Sequence, residues 1–224
     1  MGFLSSVFRG LNLLNMLYSL PAIIVALSFH ECAHAYVAYR CGDPTARNLG
    51  RMTLNPFKHL DPMGFICLLF FGFGWARPVP VNPRNFRNLR RDDTLVSLAG
   101  ITANLILAIL SMLATYIYAA LNGNNMVIAN VLFYLVIINI SLMIFNLIPV
   151  PPLDGSHVLE NLLIKKVGPR PFLFMQRYST FFLIGILGLA RYTGVLSQLV
   201  YWIVSGLDAV LGAIFTIPGF YMLP

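Results

Sequence analysis

Long apolar runs, separated by short polar stretches, set the pattern of this chain. A helix needs roughly 20 apolar residues to cross a bilayer core. Residues 12–39, 94–121, 126–148, 172–190 and 195–217 reach that length. Residues 63–75 are apolar but short, and predict a short or re-entrant segment ending in Gly72-Phe73-Gly74-Trp75. The expected fold is an all-α polytopic membrane protein. It has five to six transmembrane helices, the short segment, and small extended strands near the cytoplasmic face. One membrane-embedded domain over 1–224 is expected, with a core at about 12–165 and additional C-terminal helices at about 172–217.

Composition agrees with that pattern. Only 10% of the 224 residues are charged and 58% are hydrophobic, whereas soluble domains average about 25% charged. The net charge of +7 suggests a nucleic-acid partner in a soluble protein, but here the placement of the charges argues for bilayer topology and for no nucleic acid. Thirteen of the 15 Lys and Arg lie in three regions: Arg40 to Lys58, Arg77 to Arg91, and Lys165 to Arg177. If 63–75 dips in and returns, all thirteen face the cytoplasm, leaving Arg9, Arg191 and the uncharged Asn122-Gly123-Asn124-Asn125 turn outside. The first apolar stretch runs straight into His30 and Glu31, unlike a removable signal peptide. Cys32, Cys41 and Cys67 have no C-x-x-C spacing and predict neither a disulfide framework nor a cysteine metal site.

The candidate chemistry begins near the end of the first apolar run, at His30-Glu31-Cys32-Ala33-His34. His30 and His34 share one helix face and can bind one zinc, while Glu31 is placed to take a proton from water at the metal. The chain has four His and two Glu, so chance gives H-E-x-x-H on the order of once in two thousand shuffles. Ionisable groups in an apolar helix are also costly and usually functional.

A catalytic zinc takes three protein ligands and keeps one position open. Asp154 is the best third ligand. It lies in Asn146-Leu-Ile-Pro149-Val-Pro151-Pro152-Leu-Asp154-Gly155, after the 126–148 helix on its cytoplasmic side, at a depth matching the His pair. His157 is a further candidate ligand, with a surface or supporting role as the blander reading. Asn146 and Asn104 can each donate to an oxyanion or a substrate carbonyl, or simply join helices. In Trp75-Ala-Arg77-Pro78-Val79-Pro80-Val81-Asn82-Pro83, prolines at alternate positions blunt one strand edge. Val79 and Val81 leave the other edge able to pair with an unwound substrate. The alternative is a rigid connecting loop.

These motifs together resemble the site-2 protease family of intramembrane zinc metalloproteases. The resemblance rests on His30-Glu31-x-x-His34 in an apolar helix and on Asn146-x-x-Pro149-x-Pro151-x-Leu153-Asp154-Gly155. Gly100-x-x-x-Asn104 and the run from Gly74 to Pro83 are similar to small bacterial and archaeal members, and the similarity covers most of residues 20–165. It implies His30, His34 and Asp154 as ligands of one Zn2+ and Glu31 as the acid/base. It also implies cleavage of a transmembrane protein near the cytoplasmic face of a prokaryotic cell membrane. The sequence has no span suited to an inserted PDZ domain or a C-terminal CBS-like domain, so a minimal catalytic core is expected. Two other functions fit a membrane metal site: a zinc transporter, or a non-catalytic scaffold in which His157 completes four ligands.

Overall fold

The computed structural model describes residues 13–71 and 74–215. Arg9, Gly72, Phe73 and residues 216–217 lie outside the described residues. The regular structure of the described residues is all helical: α1 (Leu13–Arg40), α2 (Thr45–Asn48), α3 (Pro62–Phe71), α4 (Leu89–Ala120), α5 (Met126–Leu147), α6 (Asp154–Val167), α7 (Arg170–Arg177), α8 (Ser179–Thr193) and α9 (Val195–Phe215). Among these, α1, α4, α5 and α9 are long and apolar enough to cross a membrane, and α7 with α8 forms a fifth candidate bent by 74°. The expected single helix over 172–190 is therefore two. Arg170, Gln176 and Arg177 make α7 strongly amphipathic, and such a helix favours the interface plane over the bilayer core. The ten residues of α3 advance about 15 Å, half a hydrocarbon core, so α3 alone does not cross.

Helices α1, α4 and α5 pack against one another, and α9 leans on α4 and α5. The face that α4 turns inward carries Ser97, Gly100, Asn104, Ala108, Ser111 and Thr115. Small residues at that spacing let helix backbones approach closely, as van der Waals packing in lipid requires. Ile101, Met112 and Tyr116 meet Val136, Ile140, Ile144 and Val204 in the apolar core. Ile106, Leu110, Phe181 and Trp202 stay exposed, which suits a helix bundle solvated by lipid tails.

The long connection between α1 and α4 returns to the end it left. Arg87 N–H donates to Cys41 O at 3.2 Å, and Asn82 N–H and Asn85 Nδ2 donate to the Asp43 carboxylate, each at 2.7 Å. The C-terminal end of α1 and the N-terminal end of α4 therefore lie together. The small extended strands do not form: among the described residues, strand pairing is a single isolated bridge, Leu60 with Ala76. Proline at 78 and 80 removes two donors, and side-chain carboxylates take two of the remaining N–H groups.

Candidate metal centre

One face of α1 carries both imidazoles. Their Nε2 atoms stand 2.9 Å apart, and Asp154 Oδ2, at the first residue of α6, lies 3.3 Å from His30 Nε2 and 3.4 Å from His34 Nε2. Asp154 reaches them because α6 starts directly beneath the end of α5. Gly155 makes that approach possible, since a Cβ there would stand 2.4 Å from Leu147 O. Gly100 does the same from α4: its Cβ would meet His30 Cε1 and His34 Nε2 at 2.5 Å. The Gly100-x-x-x-Asn104 spacing thus has a physical meaning. Glycine admits the rings, and one turn on, asparagine bonds to one of them.

The tautomers follow from the partners. His34 Nδ1 lies 2.7 Å from Val96 O, a carbonyl that can only accept, so Nδ1 carries the hydrogen. Asn104 Nδ2 donates to Ala26 O at 3.3 Å and to Asn139 Oδ1 at 2.9 Å. Asn104 Oδ1 is then the atom facing His30 Nδ1 at 2.7 Å, and His30 also bonds through Nδ1–H. With each Nδ1 carrying its hydrogen, the neutral form of each ring presents an Nε2 lone pair to the other ring and to Asp154 Oδ2, which is buried and has no hydrogen-bond partner. Three electron-rich atoms at 2.9–3.4 Å repel unless a cation sits among them. Ligand atoms of a tetrahedral zinc with bonds of about 2.05 Å stand about 3.3 Å apart, so the donor set fits zinc in type and spacing.

Glu31 lies in the buried wall beside the rings. Its Oε2 accepts the Val79 N–H at 2.8 Å, which brings the Pro78-Val79-Pro80 segment over the carboxylate. The segment is tied down along its length. Arg77 N–H donates to His59 O at 2.7 Å, and Arg51 donates to Arg77 O at 2.6 Å. Asp43 anchors the far end through Asn82 and Asn85 while also accepting from Thr45. Burial pushes the Asp43 carboxyl up, but the bonds from Thr45, Asn82 and Asn85 outweigh it and hold the group below its ordinary range. Val81 N–H donates to no described residue.

Two other predicted residues take hydrogen-bond or ion-pair partners outside the cluster. Asn146 Nδ2 donates back to Leu142 O in its own helix at 3.0 Å. His157 is exposed, with Nδ1 3.4 Å from Asp93 Oδ2, and that carboxylate pushes the imidazole pKa up. Asn161 Nδ2 donates to the same carboxylate at 2.6 Å, so Asp93 fastens α6 to α4. Val96 O and Asn139 were not among the sequence candidates. A backbone acceptor leaves no trace in sequence, but Asn139 is a fully buried amide in an apolar helix, two turns before Asn146, and that polarity was a usable signal.

Comparison with known proteins agrees with the chemistry of the donor set. The model of "Peptidase family M50" matches residues 116–188, a span that holds Asp154 but not the His pair. The chain is 48% identical over 153 residues to "Putative zinc metalloprotease YwhC" of Bacillus subtilis (strain 168), covering 66% of this chain and 69% of that protein. It is 31% identical over 198 residues to "Putative zinc metalloprotease Rip2" of Mycobacterium tuberculosis (strain H37Rv), covering 85% and 74%. No solved structure matches the chain significantly.

Proposed function

As a member of peptidase family M50, the site-2 proteases, this chain is a zinc metalloprotease, and we propose that it hydrolyses peptide bonds of transmembrane protein substrates near the cytoplasmic face of the membrane. The observation that carries this reading is the convergence of three lone-pair atoms, His30 Nε2, His34 Nε2 and Asp154 Oδ2, with Glu31 the next residue after His30 on the same helix and buried like it. These three residues hold the metal, and residues 12–165 contain the catalytic core. When bound, zinc supplies Lewis acidity to the scissile carbonyl and to water.

The protein's own groups do the rest. Glu31 accepts the proton of the attacking water as the new C–O bond forms, then delivers it to the amide nitrogen as the C–N bond breaks. The Val79 N–H fixes the Glu31 carboxylate in one orientation. Asn146 turns its amide from Leu142 O towards the developing oxyanion. The Val81 N–H, which has no acceptor among the described residues, is left for an extended substrate, whereas the Val79 N–H is committed to Glu31. Asn104, with its amide bonded to His30, Ala26 and Asn139, orients a ligand rather than touching substrate. The substrate must unwind locally, because backbone carbonyls in an intact helix are already bonded.

The shared end of α1 and α4 supports the cytoplasmic placement, since the nine basic residues from Arg40 to Arg91 belong to that end or to the connection across it. The bacterial source of the relatives supports a prokaryotic cell membrane. A four-ligand scaffold finds no support among the described residues, where three metal-capable side chains converge and His157 turns to Asp93. The test is membrane proteomics of cells carrying the wild type or Glu31→Gln. Transmembrane fragments cut near the cytoplasmic face should form only with the wild type, and identical fragment sets would overturn the reading.

A further inference from the structure

Below the Glu31 carboxylate, an apolar cavity of about 140 Å³ opens between α1, α3, α5 and the Trp75-Ala76 backbone. Ile23 and Leu27 line it from α1, Ile138 and Leu142 from α5, Phe65 from α3, and Trp75 closes it from the extended segment. The helical register links this cavity to the reaction centre from both walls. Ile23, Leu27 and Glu31 are spaced i, i+4, i+8 on α1, and Ile138, Leu142 and Asn146 repeat that spacing on α5. Residues so spaced share a face, so the two apolar walls run directly into the proposed base and the proposed oxyanion donor. Four residues advance a helix by about 6 Å. The Leu27 and Leu142 walls of the cavity therefore lie about one helical turn from Glu31 and Asn146, towards the middle of α1 and α5.

We propose that this cavity is a substrate subsite that takes one large apolar side chain, of leucine or phenylalanine size, one or two residues from the scissile bond. This inference rests on the protease reading above. An extended chain advances about 3.4 Å per residue, so a side chain one or two positions from a carbonyl held between Glu31 and Asn146 reaches the cavity. The volume suits such a group: an apolar protein cavity of about 150 Å³ stays dry and takes up benzene. Gly64 keeps the site in shape. A Cβ there would stand 2.2 Å from Trp75 O, so any larger residue pushes Trp75 out of position.

The test uses the zinc-loaded full chain in detergent and three hydroxamates, which chelate zinc and differ only in bearing a hydrogen, a benzyl or a naphthylmethyl group beside the chelator. The wild type should bind the benzyl compound at least tenfold more tightly. Leu142→Trp, which fills the cavity, should reduce that preference to threefold or less while leaving zinc content and the unsubstituted compound's affinity unchanged. Leu142→Ala, which enlarges the cavity, should shift preference from benzyl towards naphthylmethyl. A benzyl-over-hydrogen preference that survives Leu142→Trp overturns the subsite, as does a wild type that shows no preference; either places a lipid chain or nothing in the cavity. Failure of the protease reading looks different. Quenched apolar peptides would then be cut equally, or not at all, by the wild type and Glu31→Gln, whatever the hydroxamates do.

Discussion

Asn104 Oδ1 lies 2.7 Å from His30 Nδ1, and the same amide is held from its other end by Ala26 O and Asn139 Oδ1. Asn139 is in turn anchored to Leu135 O at 2.8 Å. This chain of amides fixes which nitrogen of His30 carries hydrogen and so directs its Nε2 lone pair to the metal position. Groups that orient a zinc-bound histidine are typically worth about 10–100-fold in metal affinity. Asn104→Leu should weaken zinc binding by about that factor, and Asn139→Leu by less, because Ala26 O still restrains Asn104. Competition with a chromophoric chelator measures both; unchanged affinity in Asn104→Leu would remove the amide from the metal site.

Gly100 gives a steric counterpart. A Cβ placed 2.5 Å from atoms of both rings has no room unless the imidazoles or α4 shift. Gly100→Ala should lower zinc affinity at least tenfold while the helix content measured by circular dichroism stays at the wild-type level. Full zinc affinity in Gly100→Ala would mean that the rings are not pressed against α4.

The Val79–Glu31 bond makes a prediction that needs no turnover. At 2.8 Å, the carboxylate shields an N–H in a segment whose strand pairing among the described residues ends at Ala76. The Val79 amide should exchange slowly in the wild type and at least tenfold faster in Glu31→Ala. Glu31→Gln keeps an acceptor oxygen and should retain most of the protection. Equal exchange in all three proteins would detach the segment from the proposed base.

Much of this site was legible in sequence because its parts follow short-range rules. His30, Glu31 and His34 are bound by helix periodicity, and Gly100 and Asn104 by the same one-turn spacing. Asp154 was reachable by charge placement, which put the broken segment after Asn146 at the depth of the His pair. The extended segment shows where such rules stop. Alternating prolines at 78 and 80 suggested a strand, yet the N–H groups of Val79 and Asn82 are taken by Glu31 and Asp43, residues 48 and 39 positions away. The bend between α7 and α8 escaped for a related reason: an apolar average over 172–190 conceals Gln176 and Arg177 and leaves out Arg170, which together form the polar face of α7.

Asp43 carries a pH signature. Its folded-state pKa is held low, on balance, by the bonds from Thr45, Asn82 and Asn85. The stability it contributes is therefore full above the ordinary carboxylate pKa of about 3.9 and is lost as pH falls through the lowered value. Wild type should melt roughly 4 °C or more above Asp43→Asn at neutral pH. That gap should hold down to about pH 5 and narrow below about pH 4. A gap independent of pH would mean that the charge on Asp43 does not matter to the fold.

The most direct measurement pairs zinc content with cleavage in purified wild type and Glu31→Gln, reconstituted in liposomes with a model transmembrane peptide. Both proteins should hold one zinc per chain, supplied with ligands by His30, His34 and Asp154. Only the wild type should cut, with the variant at least a thousandfold slower. Cleavage by zinc-loaded Glu31→Gln at the wild-type rate would contradict the role of Glu31 and the mechanism built on it.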